Sequence, residues 1–284
     1  MERSTAEVTE KAPTLVDIVI PVFNQHHYTQ RCLESLRETT GECARVFVVD
    51  NGSTDGTGDY LATLNWLTVI SNQRNLGCAA AWNQGVSAGD APWVVILNND
   101  VILPRGWLEG LLEFAGETDT DIISPALREG EYNYDLAAYA ESYMAKMGQI
   151  KRNGEAHGVC FMVRRKVFGT IGGFDENFTI GGSEDTDFFW RARHAEFTLA
   201  TTGRSFMHHF GCVTQDYIKA EILGRCYGPE HRAHFRKKWQ LTWWKRFLIR
   251  NRGKIVNFCH RTFERASSGH SLREKWFGGT LHYY

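Results

Sequence analysis

The stretch VVILNNDVILP, Val94–Pro104, decides how this 284-residue chain is read. Four consecutive apolar residues, Val94 to Leu97, stop at Asn98, Asn99 and Asp100, and apolar residues then resume. A short β-branched run bounded in this way suits a buried strand. An acid delivered at the tip of such a strand has a use in an open α/β sheet, where ligands gather at the carboxyl ends of the strands.

The flanking sequence repeats the pattern. VDIVIPV (Val16–Val22), RVFVV (Arg45–Val49) and Leu67–Ile70 read as strands, and Trp93–Leu97 as a fourth. Helical spacing marks Tyr28–Thr39, Gly58–Leu64, Gly77–Val86 and Trp107–Phe114. Strand and helix alternate at short intervals, which implies parallel strands with helical crossovers. Asp50 follows the second strand and Asp100 the fourth, so both are expected to face one crevice. Beyond Ser124 the rhythm lapses. Arg128–Gly154 is polar and Tyr-rich, a variable loop or helical insertion. HGVCFMV (His157–Val163) restores a strand, Glu184-Asp185 open a helix carrying Phe188, Phe189 and Ala192, and a strand near Phe197–Ala200 precedes a short run ending at His208-His209.

Composition bounds the class. Hydrophobic content of 43% and charged content of 23% are those of a soluble globular protein. Seven cysteines, an odd number with no CxxC pair, argue against a disulfide framework or zinc site and for a reducing compartment. The polar first 14 residues lack the apolar core of a signal peptide and read as a disordered leader. No apolar run reaches membrane-spanning length. The net charge of −1 conceals an asymmetry: residues 225–284 hold 14 Lys and Arg against 3 Asp and Glu, a balance of +11 that leaves −12 on the remainder.

Each candidate residue has a bland reading beside its functional one. Asp100 suits a hard divalent cation, yet Asn-Asn-Asp also makes turns. Asp50, in VVDNGSTDGT, presents a carboxylate to a base or ribose, or sits in a turn where Ser53 or Asp55 caps the next helix. Glu184 and Asp185 gain from a helix N-terminus, and also suit a general base at the crevice mouth. Asp187 is placed to pair with Arg191 one turn on. Adjacent His208 and His209 face opposite ways in a strand, so one can reach a metal while the other packs.

Six segments in order resemble the inverting glycosyltransferases of family 2, with the nucleotide-sugar-binding GT-A fold: IVIPVFN, VVDNGSTDGT, NLGCAAAWNQG, LNNDVILPRGWL, IGGFDENFTIGGSEDTDFFWRAR and HHFG, spanning about Val16–Gly211. The resemblance implies a mainly parallel central sheet flanked by helices over residues 15–224, followed by a C-terminal helical extension over 225–284. It implies a donor pocket of Pro21, Phe23, Asp50, Arg74, Asn75, Asn83, Asn98 and Asn99. It also implies a catalytic base at Asp185 with Glu184 beside it, and Mn²⁺ or Mg²⁺ held by Asp100 and one of His208 and His209. Asn98 replaces the first acid of the family's Asp-x-Asp metal motif, leaving Asp100 as the carboxylate ligand from that motif. The implied activity is metal-dependent inverting transfer of a hexosyl-type sugar from a nucleoside diphosphate to the hydroxyl of a glycan or lipid-linked glycan, in cell-surface polysaccharide or glycolipid synthesis.

FRKKW (Phe235–Trp239) is similar to the aromatic-basic segment that often trails this domain. Trp239, Trp243, Trp244, Phe247 and Leu248 interleave with Lys237, Lys238, Lys245, Arg246 and Arg250. Two readings stand: a helix lying on an anionic membrane surface, or a basic helix packing its Trp face on the domain. No nucleic-acid recognition motif accompanies this stretch. The expected location is cytoplasmic, peripheral on the inner face of the cell membrane where the first reading holds. A sugar nucleotidyltransferase fits less well, because Asn24-Gln25-His26-His27 follows the first strand where a Gly-rich phosphate loop is needed. A non-catalytic nucleotide- or glycan-binding module has no use for Glu184-Asp185, a metal acid and a histidine together, and a glycoside hydrolase none for a nucleotide wall.

Overall fold

The computed structural model describes residues 14–179, 181–211, 213–218, 220 and 228–284. Almost all of the expected leader, together with Cys212 and Cys226, lies outside them. In chain order the described elements are β1 (Val16–Val22), α1 (His26–Thr39), β2 (Ala44–Asp50), α2 (Thr57–Ala62), β3 (Thr68–Ser71), α3 (Cys78–Ala88), β4 (Trp93–Leu97), β5 (Val101–Ile102) and α4 (Trp107–Thr118). There follow β6 (Ile122–Gly130), α5 (Leu136–Met147), β7 (Lys151–Asn153), β8 (Cys160–Arg164), α6 (Arg165–Ile171), α7 (Glu184–His194), β9 (Leu199–His209) and α8 (Val213–Tyr217). The C-terminal part adds α9 (Gly228–Lys238), α10 (Trp243–Ser268), β10 (Arg273–Phe277) and β11 (Thr280–Tyr283).

The strands form one mixed sheet in the order β11-β10-β6-β8-β4-β1-β2-β3, with β9 alongside β6 and pairing β5 and β7 as well. β3, β2, β1 and β4 run parallel. β8 is antiparallel to both β4 and β6, and β6 is parallel to β9 and β10. From β1 the chain builds outward to β2 and β3, then returns to lay β4 on the other side of β1. That reversal is the topological switch point at which open α/β sheets bind ligands. Pro21 marks it: β1 pairs β4 from Val16 to Val19, and beyond that the ladder continues with β2 alone. A proline has no N–H to give, so it suits the point where one neighbouring strand departs.

β1 and β4 are buried on both faces because helices cover both sides. Ile18, Ile20, Val95 and Leu97 pack with Leu33, Leu36, Trp107 and Leu111 on one side. Val19, Val94 and Ile96 pack with Trp82, Val167, Phe188 and Phe189 on the other. Asp17, fully buried in β1, is compensated by Arg45 at 2.8 Å, Arg165 at 2.6 Å and the Ala91 N–H at 2.8 Å.

Three expectations change in detail. Arg128–Gly154 takes the helical alternative, with more order than expected: β6 runs on to Gly130, and α5 buries Tyr143, Met147 and Ala140 against Phe206. The two short runs expected up to His209 are a single 11-residue strand, β9, whose pairing with β6 shifts register at Pro125/Ala126. The C-terminal extension is helical through α9 and α10 but ends in the β10–β11 hairpin, and β10 joins the central sheet beside β6.

Candidate active site

A cavity of about 210 Å³ opens where β1 and β4 separate. Its wall comprises Pro21–Phe23 at the end of β1, Asn51 after β2, Asn75 and Cys78 at the start of α3, and Asn98–Asp100 after β4. The lining also takes in Gly158–Val159, Gly181-Gly182, Glu184-Asp185 and, against Asp100, His209. Loops at the carboxyl ends of parallel strands thus bring together residues remote in sequence. Asn51 organises its side: its Nδ2 donates to Asn75 Oδ1 at 3.0 Å and to the Gly77 carbonyl at 3.1 Å. Its Oδ1 accepts from Asn72 and from the Leu76 N–H. Asn99 is fixed through Nδ2 to Thr29 Oγ1 at 2.9 Å.

Asp100 and His209 meet across the β5–β9 ladder, in which Val101 is paired with His209. Asp100 Oδ2 lies 3.4 Å from His209 Nε2, and both residues are about 4% exposed. Asp100 Oδ1 and both His209 ring nitrogens are buried without a hydrogen-bond partner. Burial would lower the His209 pKa, but Asp100 and Glu129 outweigh it and raise it to about 9. Glu129 Oε2 stands 3.5 Å from His209 Nδ1, and the imidazole, with Lys275, holds the Glu129 carboxyl down at about 2 against the opposing effect of burial. Buried oxygen and nitrogen donors side by side, with bonding capacity unspent, fit Mn²⁺ or Mg²⁺. Among the described residues no three His, Cys, Asp or Glu side chains gather as a complete metal site. The pair therefore suits an ion whose remaining ligands come with a substrate.

Two carboxyls at the N-terminus of α7 also line the cavity. Glu184 is 4% exposed with Oε2 unpartnered, and burial, reinforced by the Asp185 charge, raises its pKa to about 8. Burial also raises Asp185, although its Oδ1 accepts from the Thr186 N–H at 2.6 Å. Two acids this close in a dry site do not both ionise easily. Gly158 is required here: a Cβ at that position would sit 2.2 Å from Asp185 Oδ2. The approach to α7 is tense, since Ser183 has φ +97°, a left-handed value costly for a residue with a side chain. α9 holds this approach. His231 Nδ1 lies 3.0 Å from the Gly181 carbonyl, and Asp187, fully buried, accepts from Arg191, Lys238 and the Trp239 indole.

Four expected site residues fall outside the cavity lining. His208 points to the opposite face of β9, against Tyr132, Tyr134 and Phe210, with Nδ1 3.1 Å from the Tyr134 hydroxyl; burial, with the His209 charge, lowers it to about 3. Strand alternation thus turns His209, not His208, toward Asp100. Asn83 pins the chain after α6 instead, donating to the Phe174 carbonyl and Glu176 and accepting from the Phe174 N–H. Arg74 is exposed, and its backbone packs on Gly52. Asp50 Oδ1 is engaged by the Ser53 N–H at 2.9 Å, and the neighbouring Asn51 lines the cavity in its place. Asn51 follows the strand tip by one residue and was legible in principle from that position. Cys78, Trp82 and Gly158 had no comparable signal.

The fold and this cavity define a nucleotide-sugar transferase architecture of the GT-A type. Residues 17–172 match glycosyl transferase family 2, more than half the chain, so the chain belongs to that family. Residues 142–211 match the N-terminal domain of galactosyltransferase. The chain is similar to the pre-mycofactocin glycosyltransferase of Mycobacterium tuberculosis, 32% identical over 189 residues covering 62% of this chain and 38% of that protein. Glycosyltransferase GlyG of Streptococcus pneumoniae is 28% identical over 125 residues, 43% of this chain and 40% of its own. Glycosyltransferase AglE of Haloferax volcanii is 27% identical over 196 residues, 65% and 63% of the two chains. The matches thus take in about two fifths of the length of the first two relatives. Among solved structures, S. aureus TarS 1–349 superposes with a TM-score of 0.56 at 16% identity, covering 69% of this chain and 60% of that one. GalNAc-T7 with UDP, GalNAc and Mn²⁺ gives 0.58 at 16% identity, with 71% and 44% covered. At such identity these likenesses establish the shared fold.

Proposed function

We propose that this chain transfers a sugar, of hexosyl type, from a nucleoside diphosphate to an acceptor hydroxyl with inversion at the anomeric carbon. The observation that carries the reading is convergence. Asp100 with His209, and Glu184 with Asp185, line one cavity at the sheet's switch point although 109 residues separate Asp100 from His209. Asp185 accepts the proton of the attacking hydroxyl, and burial beside that charge favours a neutral Glu184, which leaves the base role to Asp185. Pro21, Phe23, Asn51 and Asn75 form the nucleoside side, and Asn98 and Asn99 orient the sugar. Asp100 and His209 hold Mn²⁺ or Mg²⁺, which when bound supplies Lewis-acid neutralisation of the departing diphosphate. The solved complexes of TarS with UDP-GlcNAc and GalNAc-T7 with UDP and Mn²⁺ make UDP the first donor nucleotide to try.

Asp185→Asn is the decisive variant. Nucleoside diphosphate with Mn²⁺ should still raise its melting temperature, while turnover falls about 10²- to 10⁴-fold, the usual share of a general base. Wild-type turnover in a folded Asp185→Asn protein would remove the base assignment.

We further propose a peripheral membrane location on the cytoplasmic side, with a glycan or lipid-linked glycan as acceptor. Among the described residues no helix is long and apolar enough to cross a membrane. The support is α10. Trp244, Leu248, Ile255 and Phe258 recur on one side of it and are 65%, 63%, 64% and 59% exposed. Arg250, Lys254 and Arg261 border that stripe on one flank and Lys245 and Arg252 on the other, by helical phase. The one acid of α10, Glu264, is buried on the body side against Arg152 at 2.7 Å. An apolar stripe with basic margins, turned away from the domain, suits an anionic lipid surface.

A further inference from the structure

Asp100 and His209 do not stand alone in the sheet. His209 belongs to a row that crosses four adjacent strands, and Asp100, just before β5, meets it there. Val101 of β5 pairs His209 of β9, His209 pairs Glu129 of β6, and Glu129 pairs Lys275 of β10. Directly opposed residues in neighbouring strands place their side chains on one face of the sheet within reach of each other. Each successive contact is made. Asp100 faces His209 Nε2 at 3.4 Å, Glu129 Oε2 faces His209 Nδ1 at 3.5 Å, and Lys275 Nζ donates to Glu129 Oε1. The Tyr284 hydroxyl donates to Glu129 Oε2 at 3.2 Å.

We propose that Glu129 is a positioning residue for His209: its carboxylate, which faces Nδ1 at 3.5 Å, draws the N–H to that nitrogen and closes on it when the site is loaded, so that Nε2 is presented beside Asp100, and Lys275 of the C-terminal hairpin fixes Glu129 in that role. The inference rests on the reading of Asp100 and His209 as metal ligands. A ligating imidazole ordinarily donates its other N–H to a carboxylate or carbonyl, which sets the tautomer and ring orientation and raises ligand basicity. Glu129 is the carboxylate opposite that nitrogen. The sequence also makes room for the hairpin at this point. Gly130 has φ +116°, and a Cβ there would lie 2.3 Å from the Trp276 carbonyl oxygen, so β10 approaches the strand carrying Glu129 only because residue 130 is glycine. β10 lies outside both family-matched stretches, which end at residues 172 and 211. A segment beyond the family domain therefore reaches the cation-binding side of the site.

The test is titration of Mn²⁺ into the full chain with UDP present, read by calorimetry and by the free-Mn²⁺ electron paramagnetic resonance signal, with folding checked by circular dichroism. Glu129→Ala should weaken Mn²⁺ binding about 10- to 100-fold, and the near-isosteric Glu129→Gln less, since its amide oxygen still accepts from Nδ1–H. Lys275→Met should weaken binding several-fold in the wild-type background and add nothing on top of Glu129→Ala, because it acts through that residue. A folded Glu129→Ala and a folded Glu129→Gln that both bind Mn²⁺ as tightly as wild type, while Asp100→Ala loses it, would overturn this inference and leave the metal reading standing. Equal losses from Lys275→Met in both backgrounds, or tighter binding, would overturn the part assigned to the hairpin. Wild-type protein that takes up no Mn²⁺ with UDP or another nucleoside diphosphate would overturn the metal reading itself, and this inference with it.

Discussion

Glu184 is a cavity residue whose protonation the fold controls. Its folded pKa of about 8 stands above the ordinary value of 4.5, so the folded state keeps a proton that the unfolded chain releases. The stability linked to that proton is fully present below about pH 4.5 and is lost as pH rises through 8. Melting temperature should therefore fall between pH 5.5 and 8 in wild type and fall less in Glu184→Gln. At pH 8 the variant should melt about 3 °C or more above wild type, taking 2–4 °C per kcal/mol for a chain of this size; differential scanning calorimetry at both pH values checks this. Sequence placed the acids at 100, 184 and 185 at a strand tip and a helix start, with a bland reading for each, and the structure brings all three to the cavity lining. It left His208 and His209 open, since alternation guarantees only that they face opposite ways, and the register of β9 against β5 and β6 decides which faces inward. Asn83 was assigned by resemblance to a pocket from which hydrogen bonds to Phe174 and Glu176 withhold it.

Among the elements, α7 and α9 are joined more tightly than a surface helix pair requires. Asp187 receives Arg191 Nε at 2.8 Å, Lys238 Nζ at 2.9 Å and Trp239 Nε1 at 2.9 Å, and has no exposed surface. Trp239 also packs edge-on against Trp190. Asp187→Ala should cost about 2–4 kcal/mol in urea unfolding, because it strands cationic and indole donors, and Trp239→Phe about 1 kcal/mol. Of the two readings of the basic tail, packing thus holds for α9, whereas α10 keeps Trp243 and Trp244 outside. The buried strands were legible because apolar runs between turn residues have few other uses. β10 was not: REKWF offers no apolar run, and its place in the sheet depends on a glycine at 130, far away in sequence.

For the whole molecule, the charge asymmetry has a location. Excess cation gathers on α9 and α10, and the acids line the cavity and the sheet-forming body. Full-length protein should sediment with vesicles containing anionic phospholipid and release as salt rises, while Trp244→Glu combined with Leu248→Glu should lose most binding without loss of fold. Undiminished sedimentation of that variant would dismiss α10 as the contact. Deleting residues 225–284 would be a poor substitute, because β10 lies inside the sheet between β6 and β11. That insertion also bears on how the chain reaches its native state. Lys275 and its partner Glu129 are 146 residues apart, so this parallel pairing closes one of the longest loops in the fold. Contacts of such separation repay their entropy late, so the Leu127–Gly130 end of β6 is the stretch that stays an open edge, a template for mispairing between copies, until the hairpin seals it.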